Sequence, residues 1–531
     1  MVLPDPSKFV SRVRFSHAAP SSMTHHALMF SVHAWPHRRN PGAHRIATYL
    51  REQDWDVEVC DFAAHWPLHL LKEYARSRVT KQTMFFGFST FFNFWNPVMN
   101  EFTAWLKETW PDIPTVIGGQ SVCATPAKNM DYWIDSFGEL AILDLARGFV
   151  GNTRVGIKFD MNYMGQRKVI KSISSYPAYP LESYRVKWQH RDFIQPFEWG
   201  TLEFSRGCKF SCSFCNFPIL GVKGDYSRTQ ADFEAELQYN YNEFGVTNYY
   251  VADETFNDRV DKIIKFADVV DTLNFQPFFS GFIRGDLLIG KPESWEHIAR
   301  LGFGGQYYGI ESMNHASGKV VGKGMHPERI QQGLIDIKKY FSERMFYRGT
   351  ISLIIGLPFE SAETVKQTEH WLLEHWIDQS LIVFPLDVED VFDKNVNQVL
   401  TNTSDFSQNL LKYGIRKMER DPVKLESKTG YYNWRMGGYA PAAVMWEHDS
   451  MNIMEAQDIS YHLQQKANHD FKLDCWHLDL HSYNAQQALP LEHNAQSPKI
   501  ECNVDIDVTH GVIKNYIDKK LNMIVKQGKQ Q

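Results

Sequence analysis

Cysteine is scarce in this chain, with seven among 531 residues, and the scarcity is informative. Cys60, Cys123, Cys475 and Cys502 are scattered, so a disulfide framework is not expected and a reducing cytoplasm fits. No apolar run approaches the length that spans a bilayer. The first residues, 1–22, contain Ser, are mildly basic and have no apolar h-region. They read as a disordered tail rather than a secretory signal, with Met23 as an alternative start. No field of one sign dominates, for 56 Lys and Arg face 62 Asp and Glu at a net charge of −6. Nucleic acid is therefore not the expected partner.

The remaining three cysteines sit within eight residues: Cys208, Cys212 and Cys215, spaced C-x3-C-x2-C. Chance places such a triad on the order of once in a thousand chains of this composition. A zinc knuckle would want a fourth ligand, and no His or Cys lies at a suitable short offset. Three thiolates can instead hold three corners of a 4Fe–4S cluster, leaving one iron open for chemistry.

Length alone argues for two or three domains. Between residues 26 and 150, apolar runs alternate with amphipathic stretches. Strands are expected at 27–32, 56–61, 83–88 and 114–119, with a weak fifth at 132–134, and helices at 43–53, 98–109 and 139–147. That alternation predicts a doubly wound parallel sheet. Ligands of such sheets sit at the carboxyl ends of strands, which here carry His33, Ser89, Thr90, Gly118 and Gly119. His33, His37 and His44 fall in loops or near them and are expected to be solvated. Residues 151–200, broken by Pro177, Pro180 and Pro196, read as a connector.

Six further strands are expected at 202–205, 248–254, 277–284, 306–312, 350–356 and 381–384. Helices are expected between them at 230–244, 259–273, 293–301, 327–341 and 363–375. Six such units over 201–390 predict a partial (β/α)6 barrel. From 391 to 531 the alternation stops, and a mostly helical extension is expected. The aromatic stretch 431–448 is weighed equally as a lid over a substrate site and as ordinary packing. The basic tail 514–531 reads as a solvated helix end or as disordered.

The cysteine triad, with Phe214 just before its last member, resembles the signature of the radical S-adenosylmethionine (SAM) superfamily. The resemblance implies that SAM chelates the open iron and is cleaved reductively to a 5′-deoxyadenosyl radical, which abstracts hydrogen from a substrate. It also implies further contacts to SAM. Asp253 and Glu254, ending the second barrel strand, match the groups that bind its amino group. Arg284 ends the third strand and matches a carboxylate partner. Glu311 and Ser312 lie in a Gly-x-Glu-Ser element, and Gly356, Pro358 and Glu360 in a Gly-x-Pro-x-Glu element near the adenine. Arg228, after the cysteine loop, is a further candidate. Taken singly, the bland readings are a helix cap for Asp253 and Glu254, a surface ion pair for Arg284, and a plain turn for 356–358.

The layout of 23–150 is similar to the cobalamin-binding domain that precedes the barrel in one large class of this superfamily. Ser89, Gly118 and Gly119 are then candidate cobalamin contacts. The Asp-x-His-x-x-Gly motif that ligates cobalt is absent, which leaves cobalamin an open question. If cobalamin binds, methyl transfer to carbon is the expected outcome; ring closure or rearrangement is the rival. Methylthiolation of tRNA is disfavoured, because the extra N-terminal cysteines it uses are absent. A small-molecule substrate and a flavodoxin- or ferredoxin-type electron donor are the expected partners, with no membrane. The contrasting class is a non-catalytic iron–sulfur carrier or redox sensor, which would want a fourth cluster ligand and no SAM pocket.

Overall fold

A computed structural model describes residues 25–33, 39–90, 95–119, 122, 125–150, 168–172, 181–194, 196, 198–215, 224–388, 392–393, 398–399, 404–418, 444–472 and 513–523. His37, Cys123, Cys475, Cys502, the tail 1–22 and most of 431–448 lie outside them. The chain forms two compact units. The first comprises 2–202, 235–246 and 502–531; the second comprises 203–234 and 247–501.

The first unit is built on six parallel strands: β1 (His26–Val32), β2 (Asp56–Cys60), β3 (Thr83–Thr90), β4 (Thr115–Gly119), β5 (Tyr132–Asp135) and β6 (Val169–Lys171). Their order is β2-β1-β3-β4-β5-β6. Every residue of β1 is buried, as a strand covered on both faces requires. Helices Pro41–Arg51, Leu68–Arg78, Pro97–Thr109 and Glu139–Phe149 connect the strands. Strand order reverses between β1 and β3, and their carboxyl ends flank the switch point where doubly wound sheets bind ligands.

Two expectations about this unit are corrected. His44 and His33 are not solvated. His44 is fully buried in helix Pro41–Arg51, where its Nε2 lies 2.9 Å from Asp61 Oδ1 and its ring packs 4.1 Å from that of Trp188. His33 is buried against Phe62. Nor is the described part of the tail merely a solvated helix end, for residues 513–523 form a helix whose apolar face joins the core of this unit. Tyr516 Oη accepts from Asp61 N at 2.8 Å, and the buried Lys520 ammonium donates to Val59 O at 3.0 Å. Buried acceptors on β2 give these polar side chains partners inside the fold, which composition alone does not reveal.

Strand β7 (Gly200–Leu202) ends the segment 2–202, and the second unit carries the strands that follow: β8 (Asn248–Val251), β9 (Phe278–Ile283), β10 (Phe303–Glu311), β11 (Arg348–Ile355) and β12 (Ser380–Pro385). They lie in sequence order, and β8 to β12 pair in parallel throughout. Each crossover contains a helix, including Val260–Val270, Pro327–Ser342 and Ala362–His375. This is the six-strand parallel arrangement expected from the repeat. Helix Ile453–Asp470 serves β12, whose Val383 N donates to Gln464 Oε1 at 2.9 Å. A side chain thus satisfies the edge that the incomplete barrel leaves open.

Candidate radical and cofactor site

The site begins at Phe204. Its ring is fully buried within 5.3 Å of the rings of Phe233, Phe256, Phe266 and Phe279. This aromatic core anchors the residue from which the cysteine loop departs. The buried Asp253 carboxylate, just past β8, accepts from Phe204 N at 2.7 Å, Ser205 N at 2.9 Å and Ser205 Oγ at 2.8 Å. Burial nevertheless raises its pKa to about 7, outweighing Lys262 and those hydrogen bonds. Asp253 is therefore spent on fixing the root of the loop.

Glu254 differs. No described side chain donates to its carboxylate, and burial, with Asp253 and Glu203 nearby, pushes its pKa up to about 8. A desolvated carboxylate beside two others is placed to gain from a cation.

Beyond Arg206 the loop carries Cys208, Cys212 and Cys215, all half-buried and free of disulfides. Cys208 Sγ lies 3.4 Å from Thr255 Oγ1, and Arg284 Nη1 donates to Cys212 Sγ at 3.6 Å. Among the described residues, no three His, Cys, Asp or Glu side chains form the ligand set of a single metal ion. A 4Fe–4S cluster asks for something different, one thiolate on each of three irons, and a cationic donor already aimed at the Cys212 sulfur suits it.

Arg284 is expected to grip the SAM carboxylate but stands elsewhere. Its Nε and Nη2 donate to Asp286, its Nη2 also reaches Gly322 O at 2.8 Å, and its guanidinium stacks 3.9 Å from the centre of the Phe210 ring. Arg228 is likewise turned inward. It is fully buried, donating from Nε to Asp232 Oδ2 and from Nη1 to Glu203 O, so it braces the first turn of helix Gln230–Phe244.

The two remaining elements are knitted to each other. Ser312 Oγ donates to Glu360 Oε1 at 2.8 Å, and Gly356 N donates to Glu360 Oε2 at 2.8 Å. Burial raises Glu360 to about 7 against those bonds. Gly356 sits at φ +94°, and a Cβ there would lie 2.3 Å from the Trp446 ring. Pro358 O accepts from Ser317 Oγ at 2.8 Å. Glu311, at φ +65°, pairs with Lys323 at 2.6 Å, and that ammonium lies 5.8 Å from the centre of the Phe214 ring. Non-glycine residues in this region store strain, as functional sites often do.

The first unit offers a second cradle, at its switch point. Asn40 Nδ2 donates to Ser89 O and to Ser89 Oγ, both at 3.3 Å. Gly119 sits at φ +151°, and a Cβ there would lie 2.5 Å from Thr90 O. The buried hydroxyls Ser31 Oγ and Thr90 Oγ1 have no hydrogen-bond partner among the described residues. Orphaned buried hydroxyls at two adjacent strand ends, one of them against a close-packed glycine, fit a polar ligand laid over those ends.

Sequence reasoning missed Ser31, Thr255, Asp286 and Lys323. Ser31 could have been read from a hydroxyl at the end of an otherwise apolar strand. The other three become visible only through their partners.

Residues 202–372 match the family model of the Radical SAM superfamily. Residues 202–372 are thus similar to a radical SAM domain, and that similarity marks the chain as an enzyme. The family of that domain implies a 4Fe–4S cluster and SAM as cofactors. A curated relative, "Uncharacterized methyltransferase PH0819" of Pyrococcus horikoshii, is 23% identical over 264 residues, 48% of this chain and 56% of that protein. The match thus spans little more than half of that relative. Among solved structures, the radical SAM methyltransferase TsrM from Kitasatospora setae, with tryptophan substrate and a SAM analog bound, superposes with a TM-score of 0.55 at 14% identity, covering 84% of this chain and 91% of that one. The cobalamin-dependent SAM radical enzyme OxsB with aqua-cobalamin bound superposes with a TM-score of 0.54 at 13% identity, covering 94% and 72%. At such identities the likeness establishes the fold of this chain alone. No helix among its described residues is long and apolar enough to cross a membrane.

Proposed function

We propose that this radical SAM enzyme also holds cobalamin and methylates a carbon atom of a small-molecule substrate. The observation that carries this reading is the switch point, where the unpartnered hydroxyls of Ser31 and Thr90 lie at the carboxyl ends of the adjacent strands β1 and β3 and Gly119 packs against Thr90. Support comes from the likeness to TsrM and OxsB, structures described with cobalamin, and to a relative named as a methyltransferase.

Cys208, Cys212 and Cys215 would hold the cluster. Glu254 would take the SAM ammonium, since Asp253 is committed to the loop. Phe214, Glu311, Ser312, Gly356, Pro358 and Glu360 would line the same cofactor. Ser31, Ser89, Thr90, Gly118 and Gly119 would hold cobalamin. Once bound, the cluster and SAM supply one-electron cleavage of a sulfonium, and cobalamin supplies a carrier for a methyl group. The protein's own work is to fix the thiolates through Asp253, to orient the ammonium on Glu254 and to keep water from the reacting carbon. A flavodoxin- or ferredoxin-type protein would deliver the electron.

Anaerobic protein with reductant should cleave SAM, and Cys212→Ala should abolish cleavage. Reconstitution with hydroxocobalamin, then desalting, should leave a stoichiometric visible spectrum. Colourless protein that still cleaves SAM would remove methylation and favour ring closure or rearrangement without cobalamin.

A further inference from the structure

We infer that Arg284 is a positioning residue for the iron–sulfur cluster, setting its reduction potential through a hydrogen bond to the Cys212 thiolate. The inference rests on the cluster assigned to Cys208, Cys212 and Cys215.

Counting donors gives the argument. A guanidinium has five N–H groups. The Nε hydrogen goes to Asp286 Oδ1 at 2.8 Å. The two Nη2 hydrogens go to Asp286 Oδ2 at 3.0 Å and Gly322 O at 2.8 Å. One Nη1 hydrogen goes to Cys212 Sγ at 3.6 Å. One N–H remains. Fork-like recognition of a carboxylate needs two adjacent N–H groups aimed together, and Asp286 already holds the edge that offers them. The carboxylate-binding role suggested by strand position is thus displaced by a partner two residues along the chain.

Geometry also makes the sulfur contact durable. The side chain is 9% exposed, and the Phe210 ring covers one face of the guanidinium at 3.9 Å. Asp286 and the Gly322 carbonyl hold it from two sides, so rotation away from Cys212 breaks three hydrogen bonds.

Reduction adds a negative charge to the cluster, and part of that charge resides on the thiolate sulfurs. A cationic donor stabilises the reduced form more than the oxidised one and raises the potential. The contrast with Cys208 is instructive. Thr255 has a single hydroxyl proton, which Glu254 O already takes at 2.7 Å. A neutral hydroxyl oxygen that donates elsewhere at one sulfur and a buried cationic donor at another make the cluster environment asymmetric.

The test is a redox titration of the anaerobically reconstituted full chain, without SAM, followed by electron paramagnetic resonance. Arg284→Gln should hold iron in full and titrate at a lower potential. The expected effect is a tenfold loss of reduced cluster at fixed potential, a shift of about 59 mV for a one-electron couple. Arg284→Lys should recover part of the shift by restoring a cation. A fully loaded Arg284→Gln protein that titrates with the wild type overturns the inference, including when its SAM affinity falls, for that would restore the carboxylate-binding role. Should Arg284→Gln lose its cluster, Asp286→Asn decides. It frees the guanidinium without touching the thiolates, and a lowered potential supports the inference while an unchanged one overturns it. Wild-type protein that assembles no 4Fe–4S cluster would refute the cluster assignment itself, a distinct result.

Discussion

Asp253 grips Ser205 twice, accepting from its backbone nitrogen at 2.9 Å and its hydroxyl at 2.8 Å, so the loop after β8 holds the segment that launches the cysteine loop. Asp253→Asn keeps the shape but turns one acceptor into a donor facing an N–H group. The expected cost is about 2 kcal/mol, the price of leaving buried donors unpaired. Chemical denaturation measures it, and iron content after reconstitution should fall with it. A variant that binds iron in full would show that the loop is organised elsewhere.

Gly356→Ala tests the crowding by Trp446. A left-handed backbone and a Cβ at 2.3 Å from the ring together predict a loss of about 2–4 kcal/mol. Combining it with Trp446→Leu should return the steric part and leave the backbone part, as a double-mutant cycle would separate.

Glu254 sets a pH dependence. Its folded pKa of about 8 lies above the ordinary 4.5 of a glutamate. The folded state therefore binds the extra proton, and stability without ligand falls as pH rises from about 4.5 to about 8. An ammonium ligand reverses that preference, so SAM affinity should rise as pH increases through about 8. Glu254→Gln should weaken binding and flatten the profile in equilibrium binding measurements. A profile unchanged by the substitution would take the amino group away from Glu254.

Ser31→Ala separates a ligand hydroxyl from an ordinary core one. Removing a buried hydroxyl without a partner should stabilise the cobalamin-free chain by about 1 kcal/mol. The same change should lower the cobalamin retained after desalting. Destabilisation with full retention would place Ser31 in the core alone.

Lys520→Met examines the helix at 513–523. Burial raises the pKa of Glu58, but Lys520 and Arg78 outweigh it and hold the carboxylate well below its usual range. Breaking a buried pair costs about 3 kcal/mol or more, so the thermal midpoint of the variant should fall clearly. An unchanged midpoint would mean that Arg78, 2.6 Å from Glu58, suffices alone.

Much of the fold is legible in the chain before any coordinates. Strand β1 reads as an apolar run because both its faces are covered, and six strand–helix repeats announce β7 to β12 because each crossover needs its own amphipathic helix. The carboxyl ends of those strands also mark where side chains gather, which is why Glu254 and Gly119 stand among the candidates. The roles of Arg284 and Arg228 were not legible. A guanidinium at a strand end suits a ligand, a thiolate or a neighbouring aspartate equally well in sequence, and Asp286 and Asp232 lie too close along the chain to stand out.

Local chemistry therefore fixes three thiols close together in the chain, because spacing within eight residues survives any packing. It also settles the alternating pattern that makes parallel sheets, because burial periodicity is written residue by residue. Long-range partners decide the rest. Asp253 is tied to the loop 48 residues earlier, and Tyr516 meets Asp61 across 455 residues. Buried charges take their meaning from whatever the fold brings within hydrogen-bond reach, and no short window of sequence contains that information.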